Sequence, residues 1–295
     1  MKIWALSDIH ADYRANRQWI EAIDKQAFQH DILIVAGDIS HDVDIVFQVL
    51  GSLQQRFKQV CFTAGNHDIW LSREREKSPT DKKNQISAQS ALSRHLDFED
   101  SLQKQQFLHD ELASQGIATG RVDISTKLGG AQACLHLVPL LSWYDYSFMA
   151  LNEYLLERWM DFYACKWPSE LLAGELEQYL IDKAVCQHLL QRNQKYISEL
   201  SNLTGNVITY SHCLPRIDIM PEYIPAVHQQ VYPVLGSWAI DKQIRQLGSK
   251  LHIYGHSHVN RDETIDGVRY VNNAFGAPSE ARIARKALYC VWSDE

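Results

Sequence analysis

No stretch of this 295-residue chain is long and apolar enough to cross a membrane. A core strand begins almost at the first residue, so a cleaved leader with basic and apolar regions is not expected either. Basic residues are in deficit: 29 Lys and Arg against 36 Asp and Glu give a formal net charge of −7. A general platform for DNA or RNA would be basic, so none is expected, although a nucleotide substrate stays open. Cysteine is sparse, and Cys61, Cys134, Cys165, Cys186, Cys213 and Cys290 show no paired spacing. Several fall in strand-like runs, as buried free thiols do, which points to a reducing cytoplasm. There is no internal repeat and no low-complexity linker. An apolar content of 45% with 22% charged residues describes an ordinary globular protein. We expect one α/β domain over residues 1–295, with helical insertions at about 69–120 and about 145–203.

Five short runs read as strands: Ile3-Trp4-Ala5-Leu6, Ile32-Leu33-Ile34-Val35, Val60-Cys61-Phe62-Thr63, Val207-Ile208-Thr209-Tyr210 and Leu251-His252-Ile253-Tyr254. They are continuous apolar runs, not alternating ones, as strands covered on both faces would be. Each is followed at once by chemistry-bearing residues: Asp8-Ile9-His10, Gly37-Asp38, Gly65-Asn66-His67-Asp68, Ser211-His212 and Gly255-His256-Ser257-His258. In layered α/β folds, ligands gather at the carboxyl ends of the strands. Carboxylates, imidazoles and one amide oxygen are the donor mixture of a two-metal hydrolytic site. Gly37, Gly65 and Gly255 each stand just before a candidate ligand. A sharp turn there needs φ > 0 or close backbone approach.

As a set, these blocks resemble the calcineurin-like metallophosphoesterase superfamily, whose pattern runs D-x-H, GD, GNH followed by D or E, then H, then G-H-x-H. All five blocks stand without substitution from Asp8 to His258. The resemblance implies a sandwich of two β-sheets flanked by helices. It implies one metal held by Asp8, His10, Asp38 and His258. A second would be held by Asp38, Asn66, His212 and His256, with Asp38 bridging. The catalytic His67 would lie outside both coordination spheres, beside the scissile phosphate. Two divalent ions (Mn, Fe or Zn) would neutralise phosphoryl charge and generate a bound hydroxide at neutral pH. With Asp8 and Asp38 as the only charged ligands, the bare site keeps a formal charge of about +2, a sink for a phosphate-ester substrate.

The serine/threonine protein phosphatases of that superfamily carry an Asp three residues after the bridging Asp and end the third block in GNHE. Here those places hold His41 and Asp68, which argues against that branch. The carboxylate that orients His67 is therefore open between Asp42, Asp68 and none, while Asp42 and Asp44 also suit a helix N-terminus. His252 lies within a strand run and is expected to be packed. The aromatic stretch Ser142 to Phe148 has two readings: core packing, or a substrate-selecting rim built on Trp143 and Tyr144. Two function classes follow, a metal-dependent phosphoesterase and an idle protein-binding scaffold on the same fold. Retention of every ligand and of His67 favours the enzyme. Monoesters, nucleotide phosphodiesters and other esters are not separated by these residues, and neither is oligomeric state.

Overall fold

The computed structural model describes residues 1–71, 97–128, 131–172, 177–200 and 206–294. The charged run Arg73 to Lys77, the pair Lys82-Lys83, His95 and Leu176 lie outside the described residues. The strands are β1 (Lys2–Leu6), β2 (Phe28–Val35), β3 (Phe57–Phe62), β4 (Val122–Leu128), β5 (Ala131–Pro139), β6 (Asn206–Tyr210), β7 (Leu251–Tyr254), β8 (Arg261–Ile265), β9 (Val268–Asn272) and β10 (Tyr289–Ser293). They form two sheets, ordered β10-β1-β2-β3 and β4-β5-β6-β7-β9-β8. Within the first, β1, β2 and β3 are parallel; within the second, β5, β6, β7 and β9 are parallel.

The continuous apolar runs are explained by what covers each face. Along β2, Ile32 and Ile34 meet Leu135, Leu137, Ile208, Tyr210 and Ile253 of the opposite sheet. Their neighbours Leu33 and Val35 turn outward onto helices α1 (Arg14–Ala22), α2 (Val43–Gln54) and α3 (Ser101–Ser114), through Ile20, Val46, Leu50, Leu108 and Leu112. Both faces of the pleat are dry, so no polar residue is tolerated at either alternate position. The strands β4 and β8 escaped the sequence reading because they lie at the sheet edge and are correspondingly polar, as in Arg-Asp-Glu-Thr-Ile of β8. After His258 the chain adds β8 and β9 to the second sheet and β10 to the first.

The second insertion supplies α4 (Glu153–Arg158), α5 (Asp161–Ala164), α6 (Ser169–Leu172), α7 (Gln178–Arg192) and α8 (Gln194–Leu200). Its last helix pads the second sheet through Tyr196 and Leu200, beside Ile240, Ile244 and Leu247 of and next to α9 (Trp238–Gln246). The others build a separate apolar cluster with Ile69, Trp143, Tyr144, Tyr146, Leu155, Val185 and Leu189. Trp143 is 1% exposed and Tyr144 is fully buried, and their rings stack at 4.8 Å. The packing reading of the aromatic stretch therefore holds, and the rim reading is corrected. A helical insertion needs large apolar side chains to anchor it, and these rings fill that role. The indole Nε1 of Trp143 donates to Asp182 Oδ1 at 2.9 Å, which satisfies a donor that would otherwise be stranded.

Trp143→Ala is expected to cost about 3–5 kcal/mol of stability. The ratio of kcat/KM between an aromatic and an aliphatic ester should stay constant. Urea denaturation read beside the two specificity constants checks this; a changed ratio at constant stability would restore the rim reading.

Candidate metal centre

The parallel strands of both sheets end at one edge, and the loops leaving them interlock. Backbone amides of Asp8 and His10 donate to the carbonyls of Gly37 and Asp38 at 2.9 and 3.0 Å. Ser7 and Ala274 form a parallel bridge, and the Gly276 amide donates to Asp8 O at 2.8 Å. The loop Asn272 to Gly276 thus ties the end of β9 to the end of β1. Five candidate ligands take left-handed backbone conformations: Asp8 (φ 51°), His10 (43°), Asp38 (60°), His256 (69°) and His258 (56°). For non-glycine residues this region is rare, and clusters of it occur where surrounding contacts force side chains into a functional array.

Two glycine roles separate. Gly37 has φ +82°, and a Cβ on it would meet the Gly65 amide at 2.6 Å. Gly65 and Gly255 have no positive φ but are pressed against the carboxylates of Asp38 and Asp8, with no room for a Cβ. The sequence rule of turn or close approach is met, while the positive φ falls mostly on the ligands themselves.

The candidate ligands converge. In three sets, namely Asp8, His10 and His258; His10, Asp38 and His67; and Asp38, His212 and His256, donor atoms lie within 4.8 Å of one another. Asp38 belongs to two sets, as a bridging carboxylate must. Asn66 joins through Oδ1, 2.9 Å from His212 Nε2. His67 also stands close enough to ligate, its Nε2 3.8 Å from Asp38 Oδ2. Its ring stacks on Trp70 at 3.7 Å, and its side chain is 26% exposed.

Hydrogen bonds behind the ligands decide which atoms carry lone pairs. His212 Nδ1 lies 2.8 Å from Ala36 O, and His256 Nε2 lies 3.0 Å from Val234 O. A carbonyl only accepts, so each of these nitrogens carries the proton. His212 Nε2 and His256 Nδ1 then face each other at 3.1 Å as two lone pairs, with Asn66 Oδ1 a third acceptor. On the other side, His258 Nδ1 meets Glu280 Oε2 at 2.8 Å, leaving its Nε2 2.9 Å from His10 Nε2 and 3.4 Å from Asp8 Oδ1. Acceptors aimed at acceptors demand a positive charge between them. The donor set fits divalent metal, with the backing contacts that metal-bound imidazoles use. Asp8, Asp38, His212 and His256 are buried, so little water can serve instead.

Without metal, protons take that place. Burial alone would raise Asp8 and Asp38. The adjacent His258 holds Asp8 at about 2, and His212 with His67 holds Asp38 well below the carboxylate range. Burial also works against charge on His212 and His258. Asp38 lifts His212 to about 9, and Asp8 with Glu280 lifts His258 to about 10. His256, His10 and His67 are held below the ordinary imidazole value, first by burial and then by neighbouring imidazoles.

The remaining sequence questions resolve here. Asp42 caps α2, accepting from the amides of Asp44 and Ile45, and Asp44 lies in the helix's first turn. Asp68 is fully buried and accepts amides of Asp38, Ile39, Ser40 and Gly65 at 2.8–3.1 Å. It locks the Asp38 loop to the Asn66 loop. Neither carboxylate is bonded to His67, which leaves Asp38 as its nearest carboxylate. His252 is packed in β7 against Thr209 and Ser211.

A model of the calcineurin-like phosphoesterase family matches residues 1–260. The chain belongs to that family. This phosphoesterase is 23% identical over 294 residues to the acyl-carrier-protein phosphodiesterase PptH of Mycobacterium tuberculosis, covering 95% of this chain and 79% of that protein. The crystal structure of phosphopantetheinyl hydrolase (PptH) from M. tuberculosis superposes with a TM-score of 0.72 at 21% identity. That match covers 98% of this chain and 95% of the other, so the phosphoesterase shares its two-sheet fold throughout.

The raised His212 and His258 fix the pH dependence of metal uptake. Both carry protons below about pH 9, so divalent metal must displace them, and affinity should rise with pH between 6 and 8. Mn²⁺ calorimetry in two buffers of different ionisation heat should show net proton release. Binding that neither releases protons nor varies with pH contradicts these proton positions.

Proposed function

We propose that the protein hydrolyses a phosphate ester at a dinuclear divalent-metal site made by Asp8, His10, Asp38, Asn66, His212, His256 and His258. The observation that carries this reading is the convergence of buried lone pairs, each backed by a hydrogen bond that points it inward. Bound there, the two ions would supply Lewis acidity and lower the pKa of a coordinated water. Asp38 holds the two halves of the donor set at a fixed spacing. His67 sits beside both halves, has no backing hydrogen bond to a carbonyl among the described residues, and keeps part of its side chain in solvent. Held neutral at pH 7 by its surroundings, it brings an N–H to the phosphoryl or leaving-group oxygen without adding charge to a cationic centre. Its stack on Trp70 sets the direction of that N–H.

The idle-scaffold reading loses ground, because a protein-binding surface does not need buried acceptors aimed at one another. For the substrate, similarity to PptH along 95% of this chain supports a phosphodiester over a monoester, with the phosphopantetheinyl ester of an acyl carrier protein as the first to try. A nucleotide diester is the second reading. The partly exposed Trp159, edge-on to His256 at 5.9 Å, replaces Trp143 as the candidate for a substrate-facing ring.

Protein stripped by chelator should be inactive and should regain activity with two Mn²⁺ per chain. Asp38→Asn should damage binding of both ions. Saturation at one ion or none, with activity intact, sinks the dinuclear site. His67→Ala should keep both ions and lose roughly 10²–10⁴ in turnover; if it releases metal, His67 is a ligand. Mass spectrometry of a holo acyl carrier protein, run beside phosphomonoesters and nucleotide diesters, tests the substrate. Loss of the phosphopantetheinyl group supports the carrier-protein reading, and exclusive monoester turnover refutes the diester assignment.

A further inference from the structure

Asp161 sits at the start of α5, within the second insertion, and is 2% exposed. Four donors converge on it. Oδ1 accepts from Asn66 Nδ2 at 2.8 Å and Trp70 Nε1 at 2.7 Å. Oδ2 accepts from Trp159 Nε1 at 2.9 Å and Tyr144 Oη at 3.2 Å. An indole N–H can only donate, and four donors fill the lone pairs of the two oxygens. The carboxylate is therefore an acceptor on all sides.

That has a direct consequence for Asn66. A side-chain amide presents either its NH₂ or its oxygen to a neighbour, and the two ends look alike in shape. Facing a saturated carboxylate, only the NH₂ end is tolerated, so the oxygen must face His212 and the metal position. Without that constraint, half-turn rotation of the amide would put an NH₂ among the ligands and repel a cation. The same carboxylate holds Trp70, on which His67 stacks, and Trp159, which flanks His256. The far side of Trp70 is tied by its carbonyl, which accepts from the buried Lys104 Nζ at 2.6 Å.

We propose that Asp161 is a positioning residue through which the inserted helices fix the Asn66 amide oxygen toward metal and set the indoles beside His67 and His256. The part of the insertion around α5 is then part of the metal site, while α8 pads the second sheet. The inference rests on the dinuclear reading above, and wild-type binding of Mn²⁺ tests that reading separately. Asp182 supplies the control. It is an equally buried carboxylate of the same insertion, and it binds Trp143, Tyr146 and Gln178, none of which is hydrogen-bonded to a candidate ligand among the described residues.

Direct Mn²⁺ titration of metal-stripped protein, with thermal midpoints measured in parallel, decides the matter. Wild type should bind two ions. Asp161→Asn should weaken one of them by about 10- to 100-fold, the range for groups that orient ligands, and leave the other within about threefold. Asp182→Asn should lower the midpoint and leave both affinities unchanged. Where Asp161→Asn does not fold, Asp161→Glu retains the charge but shifts the oxygens by one carbon, and the same selective weakening is expected. Further support would come from Asn66→Asp, which sets two carboxylates face to face. Adding Asp161→Asn to it should recover affinity, because the new amide can donate. Unchanged Mn²⁺ affinity in a folded Asp161 variant, or an equal loss in Asp182→Asn, overturns the proposal. Failure of wild type to bind Mn²⁺ would instead defeat the metal reading itself.

Discussion

Everything in this molecule is arranged around a repulsion. His212 Nε2, His256 Nδ1 and Asn66 Oδ1 aim lone pairs at one another over about 3 Å in a buried space, and beside them His258 Nε2 lies 2.9 Å from His10 Nε2 and 3.4 Å from Asp8 Oδ1. Packed that way, neutral acceptors lose their hydration and gain nothing from each other. The arrangement persists only with positive charge in the middle, protons in the free protein or the divalent metal that the proposed function places there. The raised His212 and His258 and the depressed Asp8 and Asp38 are two sides of that same demand.

Holding such an array costs backbone strain and buried charge, and the fold spreads that cost. Five candidate ligands sit in left-handed conformations, kept there by loops that share hydrogen bonds across both sheets. Asp68 clamps two of those loops through four amides, and Asn273 Nδ2 reaches back to Ala5 O in β1. Carbonyls of Ala36 and Val234 and the carboxylate of Glu280 fix the imidazoles from behind. Most of these contacts join residues far apart in sequence. The site therefore requires the whole sandwich, including the bridge of Ser7 to Ala274 that joins the two strand edges.

The helical insertion changes character in this light. Its aromatic residues look like a selectivity surface when read in a line. In space, Trp143 and Tyr144 anchor the insertion, and their buried polar tips are satisfied by Asp182 and Asp161. Trp159, which stood out from no pattern, is the one set edge-on to His256 among the described residues of the insertion. Asp161 lies two residues beyond it and has the same anonymity, although it touches a candidate ligand.

The sequence by itself determined the parts that obey local rules. Strand runs such as Ile32 to Val35 are apolar at every position because both faces are covered. Asp8, His10, Asp38, Asn66, His67, His212, His256 and His258 stand at strand ends because a parallel sheet gathers ligands there. Only the tertiary structure decided how those residues face one another, since a tautomer or an amide orientation depends on partners 22 to 176 positions away. That is why Asp68, a candidate partner for His67, proved to hold backbone amides, and why Trp143 went to the core. Asp161 and Glu280 carried no local signal at all. Their roles come from which donors the fold happens to bring against a carboxylate, and no spacing along the chain encodes that.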